Sequence, residues 1–220
     1  MKRCSHTLAP TGGRNVVAER ALLKVATFNL HHCEGLDGVV DVGRAAAAIE
    51  ALDAGVIALQ ELDRGLPRSG RVDQVAEIER ATEMHLSFHA TVLRAGGEYG
   101  IAIATRDRLD PEVVDLPGGD GSEPRVALIC ELPTEVAIVA THLSRKKHRE
   151  IQERQLARLA EIVAARPGPA VLMGDLNREP DELGALTGAG LRPAIDAFSF
   201  PARAPRRQLD HILVSEEVQV

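Results

Sequence analysis

Four short apolar runs in this chain each end in polar residues that could act together in metal-assisted hydrolysis. Val171-Leu172-Met173-Gly174 breaks into Asp175-Leu176-Asn177, and Val25-Ala26-Thr27-Phe28 into Asn29. Val56-Ile57-Ala58-Leu59 runs into Gln60-Glu61, and Ala137-Ile138-Val139-Ala140 into Thr141-His142. If these segments lie side by side, their ends form one rim carrying Asn, Glu, His, Asp and Asn. Such a rim on a rigid sheet has the groups that a metal-assisted hydrolase needs.

The elements that must position this rim follow from the pattern of apolar residues. Continuous apolar runs of four to six residues read as strands buried on both faces. A first strand is expected near 22–28 and a second at 55–60, with a helix around 40–53 between them. Asp37 and Asp41 suit the start of that helix. A second helix is expected over about 71–84, after a Gly/Pro/Arg-rich loop from Arg64 to Gly70. Strands near 86–93, 99–105, 112–116, 125–132 and 135–141 follow, separated by turn signals such as Gly96-Gly97 and Pro117-Gly118-Gly119. The longest helix is expected at 147–165, where Leu156, Leu159, Ile162 and Val163 recur on one face. A strand at 170–174, a short helix near 180–187, an irregular loop over 190–207 and a last strand at 208–215 complete the order. Residues 1–21 read as a loosely ordered extension and 22–220 as one domain. Alternation of helices and strands, then a run of strands, predicts an α/β (α+β) domain of two packed mixed sheets covered by helices.

The bulk properties narrow the function. The chain has 220 residues, 45% hydrophobic and 26% charged, with four Phe, one Tyr and no Trp. Its core must therefore be built from Ala, Val, Leu and Ile. A formal net charge of −6 does not favour nucleic acid as partner, because phosphate neutralisation normally requires a basic footprint. The low aromatic count also removes a stacking platform for single strands. Cys4, Cys33 and Cys130 form no CxxC spacing and read as reduced thiols of a cytoplasmic protein. No apolar run approaches a membrane span.

Six motifs in order give a more specific expectation: Thr27-Phe28-Asn29-Leu30, Leu59-Gln60-Glu61, Tyr99-Gly100, Thr141-His142-Leu143, Gly174-Asp175-Leu176-Asn177 and Leu209-Asp210-His211-Ile212. Together they resemble the endonuclease/exonuclease/phosphatase superfamily, which is similar in fold to deoxyribonuclease I. The resemblance implies a four-layer α/β/β/α sandwich and a divalent-metal-dependent phosphoesterase that hydrolyses a phosphodiester or phosphomonoester by in-line attack of an activated water. It implies Mg²⁺ or Mn²⁺ held by Glu61, Asn29 and Asp210, ions that accept carboxylate and amide oxygens. By the same resemblance Asp175 orients or deprotonates the water, and Asn177 hydrogen-bonds the phosphoryl oxygens. His142 binds the phosphate or serves as acid, Tyr99 belongs to the catalytic set, and Asp210 lies near the metal or braces a histidine. Arg125 stands where the family often has an arginine near the scissile phosphate.

Two departures accompany the resemblance. Ile101 follows Tyr99-Gly100 where an Asn is common. The family's later Ser-Asp-His segment has no counterpart before Val220, so a C-terminally incomplete domain lacking its last strand is expected, from a truncated gene rather than a natural pseudoenzyme. Two further readings stay open: a catalytically impaired protein of the same fold that only binds, and a nuclease using Arg145-Lys146-Lys147-His148-Arg149. The plainer reading of that basic run is a solvated helix start. His31-His32-Cys33 looks like a metal triplet, but adjacent side chains normally diverge, so it is not counted among the ligands. Loops 64–72 and 190–207 are expected to select among nucleic acid, lipid head group and nucleotide substrates.

Overall fold

The computed structural model describes residues 22–220, and the expected loose extension over 1–21 lies outside them. The apolar runs form strands whose alternate residues face two different cores. The strands are β1 (Val25–Asn29), β2 (Val56–Arg64), β3 (His85–Arg94), β4 (Gly97–Thr105), β5 (Glu112–Leu116), β6 (Arg125–Glu131), β7 (Ala137–His142), β8 (Ala170–Asp175), β9 (Arg192–Pro193) and β10 (Asp210–Val214). The helices are α1 (Val42–Ala51), α2 (Gln74–Thr82), α3 (Arg149–Ala164) and α4 (Gly184–Gly188).

A four-stranded sheet has the order β1-β2-β4-β3, and a six-stranded sheet the order β5-β6-β7-β8-β10-β9. Both are mixed: β1–β2 and β7–β8 are parallel, and the other pairs are antiparallel. Val56 and Ala58 of β2 point into a core shared with Ile138 and Ala140 of β7 and with Val171 and Met173 of β8. Their neighbours Ile57 and Leu59 point the other way, against Ile49 of α1 and Ile78 of α2. Val139 and Leu172 likewise face α3, through Leu156, Leu159, Ile162 and Val163. The two-residue side-chain period thus serves an inter-sheet core on one face and a helix-covered core on the other. That arrangement explains why the strands read as continuous apolar runs. It is the expected α/β/β/α sandwich.

The helix ends follow from side-chain capping. Asp41 accepts the Arg44 backbone N–H at 2.9 Å and Asp73 that of Ala76 at 3.1 Å, which satisfies otherwise unpaired donors of the first turns. One strand boundary differs from expectation. β2 does not end near residue 60 but continues to Arg64 through a register shift between Leu59 and Leu62. Its added polar residues are buried because tertiary partners satisfy them. Asp63 accepts from Arg68 at 2.7 and 2.8 Å and from Ser69 at 2.9 Å, while its N–H donates to Gln74. The expected irregular loop over 190–207 contains the two-residue strand β9.

Candidate active site

Three adjacent strands of the six-stranded sheet bring their rim residues into one row. The register places His142 of β7 beside Asp175 of β8, and Asp210 of β10 opposite the same Asp175. β10 is antiparallel, so the residue that begins it reaches the rim where the parallel strands end. Gly174 permits this close packing, since a Cβ there would lie 2.0 Å from the Thr141 carbonyl oxygen. Beyond Asp175 the chain turns sharply: Asn177 has φ of 53° and donates its N–H to Asp175 Oδ1 at 2.9 Å. The Asn177 side-chain amide donates to the Leu143 carbonyl at 3.1 Å.

The four-stranded sheet supplies the facing residues. The register shift in β2 falls at Gln60-Glu61, and Glu61 itself has φ of 61°. A bulge of this kind re-aims one side chain out of the strand's alternation, here toward the rim. Asn29, at the end of β1, donates through Nδ2 to Glu61 Oε1 and to Asp175 Oδ2, both at 3.0 Å, while its Oδ1 accepts the His31 N–H. In this arrangement Asn29 holds two carboxylates together through its amide nitrogen, and its oxygen is engaged by the His31 N–H. Gly100 lets β4 approach β3, because a Cβ would meet the His89 carbonyl oxygen at 1.9 Å. The preceding Tyr99 is thereby buried, with the guanidinium groups of Arg68 and Arg94 5.3 and 5.7 Å from its ring centre. Cation–π contacts of this kind pin the two arginines over the ring.

Burial and neighbouring charge set the protonation states. Burial, the Asp210 charge and then the Glu61 charge push the Asp175 carboxyl up to about 7, against the hydrogen bonds from Asn29 and the Asn177 backbone. Asp210 is raised too, chiefly by burial. His142 is 3% exposed, and burial, with Arg125 and Arg145 nearby, holds its pKa well below the usual histidine range. Its Nε2 lies 3.7 Å from Asp175 Oδ2, a separation that would suit an ion pair, yet the imidazole is neutral. Arg125 Nη1 sits 3.4 Å from His142 Nδ1. A guanidinium only donates, so Nδ1 accepts and the ring proton lies on Nε2, facing Asp175. Tyr99 is pushed up to about 12, mainly by burial and then by Glu61, and stays a neutral hydroxyl donor.

Among the described residues, two buried atoms at the rim have no hydrogen-bond partner: Arg125 Nε and Asp210 Oδ1. A free donor and a free carboxylate oxygen in one site fit a bound phosphoryl group and a cation respectively. Glu61 and Asp210 are thus the oxygen donors suited to Mg²⁺ or Mn²⁺. Replacing Arg125 by Ala is expected to weaken substrate capture, raising KM about 10-fold or more, as for a lost charge-assisted hydrogen bond of ~1.5–3 kcal/mol. The same change should raise the pKa of His142, which an NMR titration would read.

Several residues of the site were not visible as such in the sequence. A cavity of about 350 Å³ is lined by Glu61, Tyr99 and Arg125 together with Arg68, Arg94 and Arg145. Arg68 could have been suspected from its place in the 64–72 loop, but only the fold carries Arg94 there. Lys147 and His148 also line the cavity, so the basic run after Thr141-His142-Leu143 borders the site. Gln208-Leu209-Asp210-His211 divides its roles: His211 is buried and bonds the Arg178 carbonyl through Nε2 at 2.8 Å, which makes it a brace.

The segment after Asn29 has an unusual backbone. His31, His32 and Cys33 have φ of 46°, 43° and 62°, three successive left-handed residues without a glycine. Each costs roughly 1–2 kcal/mol. The turn sends the Cys33 side chain into the helix-side core, while possible ligand atoms of His31, His32 and Glu61 lie within 4.8 Å of one another. The divergence expected of adjacent side chains therefore separates Cys33 from the histidines but not the histidines from each other. Burial, with Asp63 and Asp41, raises the Cys33 thiol to about 12.

The four-layer sandwich, with its rim of carboxylates, amides and histidine, defines the class of fold to which the chain belongs. The chain belongs to the Endonuclease/Exonuclease/phosphatase family, whose sequence profile matches residues 26–220. No curated protein matches it in sequence. A similar solved structure is an endonuclease/exonuclease/phosphatase from Beutenbergia cavernae, with 23% identity and a TM-score of 0.70 over 88% of this chain. This chain spans 64% of the length of that protein. The mannosyl-6-phosphatase Bt3783 of Bacteroides thetaiotaomicron has 18% identity and a TM-score of 0.67, covering 89% of this chain and 86% of its own. The human Nocturnin catalytic domain with bound sulfate has 17% identity and a TM-score of 0.63, covering 88% of this chain and 82% of its own. Among the described residues, no helix is long and apolar enough to cross a membrane.

Proposed function

We propose that the protein is a divalent-metal-dependent phosphoesterase acting on a compact, multiply anionic phosphate ester. The observation that carries this reading is the geometry of the rim: Asp175 stands between His142 and Asp210 and is tied through Asn29 to Glu61, and burial with neighbouring charge raises its carboxyl toward the range of a general base near neutral pH. A divalent ion held by Glu61 and Asp210 would polarise the phosphoryl oxygen and stabilise the leaving group. Asp175 takes a proton from the attacking water. Asn29 keeps that carboxylate aligned, and the backbone N–H of Asn177 fixes its second oxygen. Arg125 offers Nε, Tyr99 its hydroxyl and His142 its Nε2–H to the phosphoryl oxygens. His142 thus binds the phosphate as a neutral donor, which favours that role over acid catalysis.

The cavity supports this substrate class. A volume of about 350 Å³ lies at the lower end for small-molecule sites. Its mouth carries Arg145 and Lys147, neither of which forms an ion pair among the described residues. A head group bearing a second phosphate would meet them. Changing Arg145 and Lys147 together to Ser is expected to raise KM by about 10-fold for a doubly phosphorylated substrate, and by less than about 3-fold for a simple aryl phosphate.

The test is hydrolysis of a generic phosphodiester and a phosphomonoester with Mg²⁺ or Mn²⁺, comparing the chain with Glu61→Gln and Asp175→Asn. Turnover that survives chelation, or that Asp175→Asn leaves unchanged, would sink the proposal. The same basic mouth favours a nuclease as second reading. Cleavage of DNA or RNA with binding that falls steeply as salt rises would move the assignment there. Binding of phosphate esters without turnover under any of these metals would leave a binding protein.

A further inference from the structure

We propose that His31, His32 and Glu61 form a binding site for a borderline transition-metal ion such as Zn²⁺ or Co²⁺. This site goes beyond the esterase reading and shares only Glu61 with it. Two imidazoles and one carboxylate are a donor set that favours Zn²⁺, Co²⁺ or Fe²⁺ over Mg²⁺, which prefers oxygen alone. Three protein ligands also leave a position open for water or an anion, as in catalytic zinc sites.

The geometry around His32 points the same way. His32 is 7% exposed, and its Nε2 lies 3.1 Å from Glu34 Oε2. The other ring nitrogen, Nδ1, is buried and has no hydrogen-bond partner among the described residues. A carboxylate on one nitrogen fixes the ring and leaves the other as the metal ligand, the usual support of a metal-bound histidine. An imidazole nitrogen buried without a partner is otherwise unfavourable.

The backbone is held to this arrangement from several directions. The His31 N–H donates to Asn29 Oδ1 at 3.0 Å, and the His32 carbonyl accepts Gln74 Nε2 at 2.6 Å. The Cys33 N–H bonds the Leu30 carbonyl at 2.8 Å, and the Cys33 carbonyl accepts the Asp41 N–H at 2.9 Å. Strained backbone persists where the surroundings over-determine it, and such places cluster at functional sites. Glu61, the third ligand, is itself left-handed and presented by the β2 bulge. The donor atoms are spread over 4.8 Å, more than the roughly 3.4 Å between ligands in a tetrahedral site with ~2.0–2.1 Å bonds. His31 is the exposed member, and rotation of its side chain closes the gap.

The test uses the full chain, stripped of metal by a chelator and titrated with Co²⁺ while visible absorption and calorimetry are followed. One equivalent should bind with the ligand-field band of a low-coordinate, nitrogen-ligated ion, and a tenfold excess of Mg²⁺ should not abolish it. His32→Ala and His31→Ala should each weaken binding by at least 10-fold, and Glu34→Gln by about 10–100-fold, the range for a lost support of a metal ligand. His31 is exposed, so its variant stays informative if His32→Ala fails to fold; apo melting temperatures identify such a failure. Unchanged Co²⁺ affinity and spectrum in both His31→Ala and Glu34→Gln overturn the site. Histidine-dependent Co²⁺ binding by a chain that hydrolyses no phosphate ester supports it while sinking the esterase reading. Mg²⁺-dependent hydrolysis without histidine-dependent Co²⁺ binding does the reverse.

Discussion

Asp175→Asn is expected to reduce phosphate-ester hydrolysis by about 10²–10⁴-fold, the range for a lost general base, and at the same time to stabilise the fold at neutral pH and above. Both effects come from the same buried carboxyl. Its folded pKa is raised from 3.8 to about 7, so between those limits the folded state holds a proton that the unfolded state has released. Stability therefore falls as pH rises through this window and levels off above it. Asn keeps the shape and carries no charge, so the variant escapes that loss. Thermal melts of the metal-free chain at about pH 5 and about pH 8 should show a fall in melting temperature that is smaller in Asp175→Asn. The difference is several degrees if a domain of this size shifts by roughly 2–4 °C per kcal/mol. For activity the sign is opposite: the base works when deprotonated, and a divalent ion on Glu61 and Asp210 offsets the two charges that raise its pKa, so the wild-type rate with metal climbs with pH over a range below the metal-free value. An Asn variant as active as wild type, or one with an unaltered pH dependence of melting, contradicts the assignment.

Gly174→Ala is the second change of large expected effect, acting on structure first. The new Cβ would lie 2.0 Å from the Thr141 carbonyl oxygen, and backbone in a central parallel pair cannot yield cheaply. A loss of more than about 3 kcal/mol is expected, in the range that marks a severe steric defect. The melting temperature would fall by roughly 6–12 °C, or the protein would be recovered unfolded. Gly184→Ala is the matched control, because nothing lies within 4 Å of a Cβ there, and its effect should stay within about 1 kcal/mol. Equal melting temperatures for the two variants would show that the β7–β8 approach tolerates a methyl group.

How much of this was legible in the sequence depends on what signal each element leaves. β7 and β8 were readable because helices cover one face and a second sheet the other, which makes the run Ala137–Ala140 apolar without interruption. The rim followed from the ends of those runs: strand pairing sets His142, Asp175 and Asp210 in one row, and the packing of the second sheet brings Asn29 and Glu61 to it. The end of β2 was not readable. Gln60, Glu61 and Asp63 look like a loop, and they are buried only because Thr27, Asn29 and Arg68 satisfy them from elsewhere in the chain. The left-handed turn at residues 31–33 left no signal either, since Gly or Asn normally marks such backbone. Its placement of two histidines beside Glu61 is a tertiary result. The expectation for Asn29 was an oxygen offered to a metal; in the structure its amide nitrogen spans two carboxylates and its oxygen accepts the His31 N–H.

That span has a mechanical consequence. The groups proposed to act on the phosphate come from two separate sheets, and the Asn29–Asp175 bond crosses the seam between residues 146 positions apart in sequence. Alignment of the site is therefore a property of how the two sheets are seated on each other, governed by side chains such as Ile103, Ile138 and Met173 in the shared core. A slip of a fraction of an ångström at that seam would misalign water and phosphate while leaving every strand intact. On the proposed function, activity is a gauge of sheet registry, and on heating it should fade before the secondary structure does.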